Sequence, residues 1–208
     1  MSCACEPVDG VPLEDFLPYV LPSVVGLPPE IAAHNIRMAA VAFVRQTQYL
    51  ERTLFLDRQC GVVDYHLEVP DCYSIMSVSE VRVDGSPWRA ERRLPARGGS
   101  WFTFDKPDWL RLGCNPGDDL LKGIEVRVNV LPGQDSCELD RILYDQYADA
   151  LQHGALENIY RMKSAPWYDP QLSMTHARLF RAAMSEAAGF AMKRHVSGPL
   201  VVKVRRFV

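Results

Sequence analysis

The hydrophobic pattern of the chain has two periods. From Leu139 to Arg194 apolar residues recur at spacings of three and four. Tyr144, Ala148, Leu151, Ala155, Ile159 and Met162 trace one face of a helix, and Leu143, Tyr147, Ala150 and Gly154 widen it on one side. The small residues Ala150, Gly154 and Ala155 predict the close approach of another backbone. Asp145, Asp149, Gln152 and Glu157 fall mostly opposite, with Glu157 one turn before Arg161. Pro166 stops this helix by excluding Ala165 from the helical region. A second helix starts at Asp169, an N-cap, with Pro170 in the first helical position. Leu172, His176, Leu179, Phe180, Ala183, Ala187 and Phe190 are its expected inner face. Two amphipathic helices joined by residues 163–170 predict an antiparallel hairpin. A third helix is expected over about Pro29 to Tyr49, burying Ala32, Ile36, Ala39, Ala40, Phe43 and Thr47. Its natural partner is the hairpin.

Between the third helix and the hairpin, residues 51–132, the period changes to two. Val63, Tyr65, Leu67 and Val69 alternate with Asp64, His66 and Glu68. Ile124, Val126, Val128 and Val130 alternate with Glu125, Arg127 and Asn129. Asp84-Gly85 is a strong hairpin signal, and Asp105 to Asp108 reads as a turn between Trp101–Phe104 and Trp109–Leu112. Five or six antiparallel strands follow, forming a small β-sandwich or curled sheet. Arg89 to Gly99 reads as a basic loop. Leu13 to Val25, broken by Pro18 and Pro22, predicts a short helix or turn. The expected class is therefore α+β. Residues 1–50 hold the first helix, 51–132 an inserted antiparallel β domain, and 133–196 a hairpin completing a helical bundle. Residues 197–208 are an extended arm after the Gly198-Pro199 break.

Composition changes little. The chain has 208 residues, 48% hydrophobic and 24% charged, with a formal charge of −3. That fits an ordinary globular core and excludes a strongly basic nucleic-acid binder. The charges are unevenly placed. Before Arg37 there are only acids (Glu6, Asp9, Glu14, Asp15, Glu30), and after Glu186 only bases (Lys193, Arg194, Lys203, Arg205, Arg206). Such ends either pair, within a chain or between neighbours, or stay solvated. No run approaches the ~20 apolar residues of a membrane span. The absence of a basic, then apolar, leader predicts synthesis in a cytoplasm. There disulfides among the six cysteines, Cys3, Cys5, Cys60, Cys72, Cys114 and Cys137, are not expected. Their spacing lacks the paired pattern of a zinc site.

Motifs for chemistry are missing. There is no GxSxG, HExxH, Walker loop or GxGxxG. His34, His66, His153, His176 and His195 are scattered, and His176 reads as a hydrogen-bonded core histidine. Asp145, Asp149 and Glu157 lack the Glu-x-x-His of a carboxylate metal site, so they read as a solvated face. Arg89, Arg92, Arg93 and Arg97 with Trp88 and Trp101 suit either nucleic acid or a protein partner. The hairpin is not a helix-turn-helix, because its linker is too long and Pro170-Gln171-Leu172-Ser173-Met174 offers phosphates no base. The expectation is no enzyme, no cofactor and no metal.

The order of segments carries a resemblance. Leu13-Glu14-Asp15-Phe16-Leu17-Pro18 leads through Leu27-Pro28 to Ile36-Arg37-Met38-Ala39-Ala40-Val41-Ala42-Phe43. After an all-β insert come Leu143-Tyr144-Asp145-Gln146-Tyr147, Gly154-Ala155-Leu156, and Lys163-Ser164-Ala165-Pro166-Trp167-Tyr168-Asp169-Pro170, with Phe180 in the last helix. This resembles the head-to-tail adaptor (connector) proteins of tailed bacteriophages that dock beneath the portal. The match covers the helical parts at both ends; the β region fits by type and position alone. The resemblance implies a dodecameric ring in the neck of a virion, made in the host cytoplasm. Its implied partners are the portal protein, tail or nozzle proteins and further copies of itself, with DNA passing unbound and no membrane contact. Trp88, Trp101, Gly154 and Trp167 are candidates for subunit packing. In the arm, Leu200, Val202, Lys203, Val204, Arg205, Arg206 and Phe207 alternate as an edge strand would, and are candidates for partner binding. The alternatives are a tail-completion or tail-terminator ring, a nucleic-acid-binding module using the Arg-rich loop, and an enzyme with a dispersed site.

Overall fold

Proline divides the N-terminal segment. Pro18 and Pro22 lack backbone donors, and the chain around them makes one turn of helix, α1 (Leu17–Val20), between 3-10 turns at Leu13–Phe16 and Leu21–Ser23. The structure, a computed structural model, describes residues 9–91, 99–114, 116–133 and 135–193. Strand β1 (Gly10–Pro12) precedes the first turn. Helix α2 (Pro29–Thr47) opens on proline with Glu30 in its first turn, where an acid favours the helix dipole. It ends at Gln48, whose left-handed φ of 53° closes a bond from its N–H to the Val44 carbonyl. All six residues expected on its inner face are buried.

The β region supplies seven strands: β2 (Glu51–Arg58), β3 (Asp64–His66), β4 (Tyr73–Val83), β5 (Ser86–Ala90), β6 (Trp101–Asp105), β7 (Trp109–Leu112) and β8 (Leu120–Pro132). They form one sheet in the order β2-β8-β4-β5-β6-β7-β3, antiparallel except where β5 runs parallel to β6. The sheet is nearly closed into a barrel, where a sandwich or open curl was equally compatible with the alternation. Long strands account for the curling. β4 and β8 span 11 and 13 residues, long enough for twist to accumulate. Register shifts between Ile75 and Ser77 and between Val78 and Glu80 add local twist. One sheet thus covers its own apolar face, burying Val81, Phe102, Leu110, Leu112, Ile124 and Val126. At the β4–β5 hairpin, Asp84 and Gly85 both take positive φ, 50° and 75°, as a two-residue turn requires.

Strand β9 (Glu138–Asp140) pairs with β1 and leads into α3 (Arg141–Tyr160). After a loop comes α4 (Pro170–Lys193). Asp169 caps α4 as the sequence predicts: its Oδ1 accepts from the N–H groups of Gln171 at 2.9 Å and Leu172 at 3.0 Å. The fold is mixed α+β, with four helices among the described residues beside a mostly β sheet. α2, α3 and α4 pack on one another, and one apolar cluster runs continuously from them into the sheet.

Three sequence expectations change. The strand count rises because β2 (Glu51–Arg58), which the alternation had not singled out, adds an edge strand beside β8. The inner face of α4 is rotated: Ser173, Ala177, Phe180 and Ala187 are buried, while Leu172, Leu179 and Phe190 are 42%, 46% and 60% exposed. The apolar stripe of α4 is wider than the contact it makes, and the smaller residues take the seam. Cys72, directly before β4, and Cys137, directly before β9, are disulfide-bonded, where no disulfide was expected. Neither has another cysteine close to it in sequence, so spacing gave no sign of it. Cys3, Cys5, Arg92, Arg93, Arg97 and the arm from Leu200 to Phe207 lie outside the described residues.

Candidate functional site

The segments singled out in the helical parts meet in one place. Gly154 faces Ala39 of α2 and Phe180 of α4: a Cβ added there would fall 2.8 Å and 2.9 Å from their nearest atoms. This contact is inside the chain, so Gly154 is not available to a neighbouring subunit. Phe43 lies 4.7 Å from the Tyr147 ring and 6.4 Å from that of Phe180. Phe16 meets Tyr144 edge-on at 5.1 Å, which ties the N-terminal turns to α3. The Tyr160 hydroxyl donates to the Ser23 carbonyl at 2.8 Å, and Ser173 donates to the Glu157 carbonyl at 2.9 Å.

The outer surface of α4 leaves several large apolar side chains open. Leu172, Met174, Leu179, Phe190 and Met192 are all exposed, Met192 by 80%. At about 100° per residue they divide between two flanks. Leu172, Leu179 and Phe190 share one flank with Ala183 and Glu186. On that side a groove of about 340 Å³ runs between α3 and α4, lined by Gln146, Tyr147, Asp149, Ala150, Ala183, Glu186 and Phe190. Met174 and Met192 lie on the other flank with Arg178 and Arg181.

Within the α3–α4 seam, His153 and His176 face each other with their Nδ1 atoms 3.1 Å apart. The ring of His176 also stacks on Tyr160 at 5.7 Å. One Nδ1 donates and the other accepts, which two neutral rings allow and two imidazoliums do not. Burial holds both pKa values below the ordinary 6.5; the neighbouring Asp149 opposes this at His153, and His153 adds to it at His176. A depressed folded pKa means the unfolded chain binds more protons. The pair's contribution is therefore full above pH 6.5 and is lost as pH falls below it. Wild-type protein should melt at lower temperature in that acid window, and His153→Asn with His176→Asn should flatten the dependence. Parallel wild-type and double-variant melts from neutral pH downward check this; identical slopes would count against it.

On the sheet side a cleft of about 560 Å³ lies between β3, the start of β4 and the turn before β7. His66 contacts Asp108 through Nε2 at 2.8 Å and Glu68 through Nδ1 at 3.8 Å, with the Trp109 ring 5.4 Å away. Tyr73 also lines the cleft, but its hydroxyl is committed to the Asp140 carboxylate at 2.8 Å. Arg52 donates to the same carboxylate and lies 5.3 Å from the Tyr73 ring centre. This Arg52–Tyr73–Asp140 cluster joins β2 and β4 to the start of α3. Burial first, then the charge of Asp140, pushes the Tyr73 hydroxyl far up, so it stays a donor throughout the neutral range. Among the described residues no three His, Cys, Asp or Glu side chains are arranged to hold a metal ion. Among them, too, no helix is long and apolar enough to cross a membrane.

Of the tryptophans expected at subunit contacts, Trp88 and Trp101 stand on the adjacent strands β5 and β6, and Trp167 is in the helical part. Trp88 is half-buried on β5 opposite Val81. Trp101 covers Gly113, where an added Cβ would fall 2.1 Å from its ring. Trp167 packs against the core cluster in the loop before α4. The indole N–H groups of Trp101 and Trp167 are buried without an acceptor among the described residues. Arg52, Asp140 and His153 were not singled out from sequence. Asp140 had a faint signal, as an acid directly before a helix; Arg52 and His153 had none, since their partners are distant in the chain. The chain matches no protein-family model and no curated protein.

Proposed function

We propose that the chain is a structural head-to-tail adaptor of a tailed phage, assembling as a twelve-subunit ring between portal and tail. The observation that carries this reading is the convergence of the resembling segments. Leu13–Pro18, the Ile36–Phe43 stretch of α2, Tyr144 to Leu156 of α3, the Trp167–Pro170 loop and Phe180 occupy separate parts of the sequence. They form one packed helical unit, with the barrel-like sheet beside it. The unit's polar groups serve packing: the Ser173 hydroxyl, the Tyr160 hydroxyl and the Asp169 carboxylate all bond backbone. Its open surface is apolar and charged, as a protein partner would require.

The reading is tested by mixing the protein with portal rings from the genome that encodes it and imaging the particles. A second ring stacked coaxially on the portal is the expected image. Portal rings left bare at concentrations well above those of virion assembly would overturn it. A conducting ring must also let DNA slide. With a formal charge of −3, the protein should bind duplex DNA weakly at physiological salt, since each neutralised phosphate would add salt-sensitive affinity. A filter-binding or anisotropy titration checks this. Tight binding with a steep salt slope would favour a nucleic-acid-binding module instead.

A further inference from the structure

We propose that the two flanks of α4 are the two halves of one self-docking surface: the acidic groove beside α3 receives the basic flank of α4 from a second copy of the chain. This deepens the ring reading by naming the surfaces that meet, and it rests on that reading only for the number of copies.

The argument begins with what is left uncovered. Of the 24 residues of α4, only Ser173, Ala177, Phe180 and Ala187 are buried. Exposed Leu, Met and Phe side chains stand on both flanks of this one helix. Leu172, Leu179 and Phe190 recur at spacings that keep them on the α3 side. Met174 and Met192 fall on the other side, 18 positions and thus five whole turns apart. Each flank carries charge mainly of one sign, with Lys193 standing two turns after Glu186 at the end of the acidic side. Asp149 and Glu186 line the groove with Phe190, and Asp145 stands one turn before Asp149. Arg178 and Arg181 accompany Met174 and Met192.

Asp145, Asp149, Glu186, Arg178 and Arg181 are exposed and make no ion pair among the described residues. The partner that fits the groove is therefore basic and apolar together, and the opposite flank of this same helix has that composition. Two different patches meeting make a heterologous contact, which propagates and closes into a ring when the rotation allows. A two-fold dimer in which each groove receives the other copy's basic flank pairs the same opposite charges. The sign separation thus selects contact between unlike flanks, and closure as a ring rests on the ring reading. The flexible methionines of the basic flank suit insertion into a shallow groove.

Complementary charge reversal tests this. One variant carries Arg178→Glu and Arg181→Glu, the other Asp149→Lys and Glu186→Lys. All four positions are exposed, so both variants should keep wild-type melting curves, which separates assembly from folding. Sedimentation velocity over a concentration series at low ionic strength is the readout. Wild type should associate, and each variant alone should associate about tenfold more weakly or worse, because like charges then face each other. An equal mixture should recover, with the two variants alternating, and one chain carrying all four substitutions should recover by itself. Wild type that stays monomeric at its highest soluble concentration overturns the proposal. So do reversed variants that associate as wild type does, or a mixture that fails to recover. Portal binding is scored separately: a chain that self-docks but ignores the portal refutes the adaptor reading and leaves this one standing.

Discussion

Asp140→Ala should destabilise the protein by about 3 kcal/mol, near the lower end for breaking a buried ion pair. Asp140 is 6% exposed, and its two oxygens are bonded to different strands, one to Arg52 of β2 and one to Tyr73 of β4. Removing it leaves a guanidinium whose side chain is only 34% exposed without its carboxylate. It also strands a tyrosine hydroxyl, and takes an acid from the α3 N-terminus, where the helix dipole favours one. The lower end applies because Arg52 retains some solvent. Tyr73→Phe removes only one neutral donor and should cost about 1 kcal/mol. For a chain of this length the difference is readily measured: roughly 2–4 °C of melting temperature per kcal/mol. Urea titrations of Asp140→Ala, Tyr73→Phe and the double variant give both costs and their coupling. A loss below that of Tyr73→Phe would mean the carboxylate is held more loosely than its two partners imply.

The elements whose information is local were legible in sequence. Pro29, Asp169 and Pro170 act through sterics and capping within a few residues, and the starts of α2 and α4 and the α4 cap follow from them; α3 ends at Tyr160, earlier than Pro166 predicted. Asp84-Gly85 set its hairpin for the same reason. Sheet closure was not legible. It depends on how far two long strands coil and where their register slips, and alternation reports neither. The rotation of α4 was hidden by redundancy, since its apolar residues span more than half a helical wheel. Leu179 and Phe180 both satisfied a helical period, and the contact of Phe180 with Gly154 shows which side of the stripe is inside. The Arg52–Tyr73–Asp140 and His153–His176 clusters were illegible because each joins residues brought together only by tertiary packing. In the candidate surface the charges were readable and their grouping into two flanks was not, because that required knowing which face of α4 is buried.

Gly154→Leu should be among the most damaging single substitutions in the helical unit. The site is closed on two sides by different helices, with Ala39 Cβ 2.8 Å and the Phe180 ring 2.9 Å from where a Cβ would sit. Ala39 cannot retreat, because its Cβ is fixed to the α2 backbone and the residue is 1% exposed. Phe180 can swing only toward Phe43, which is fully buried. Two effects oppose each other in the smaller variant. Gly154→Ala gains about 1 kcal/mol in helix propensity and loses about 1–3 kcal/mol to overpacking, so its net change should be small. Leucine gains little more in propensity and adds three further carbons that have no space, so its loss should reach about 3 kcal/mol or more. Phe180→Leu, which trims the ring from the contact, should recover part of that loss when combined with Gly154→Leu, although it is destabilising alone. Urea unfolding of the two single variants and the combination measures this non-additivity. If Gly154→Leu unfolds at the wild-type midpoint, α2, α3 and α4 do not approach as closely as the structure places them. The contact of Phe180 with Gly154 would then no longer show which side of the α4 stripe is inside.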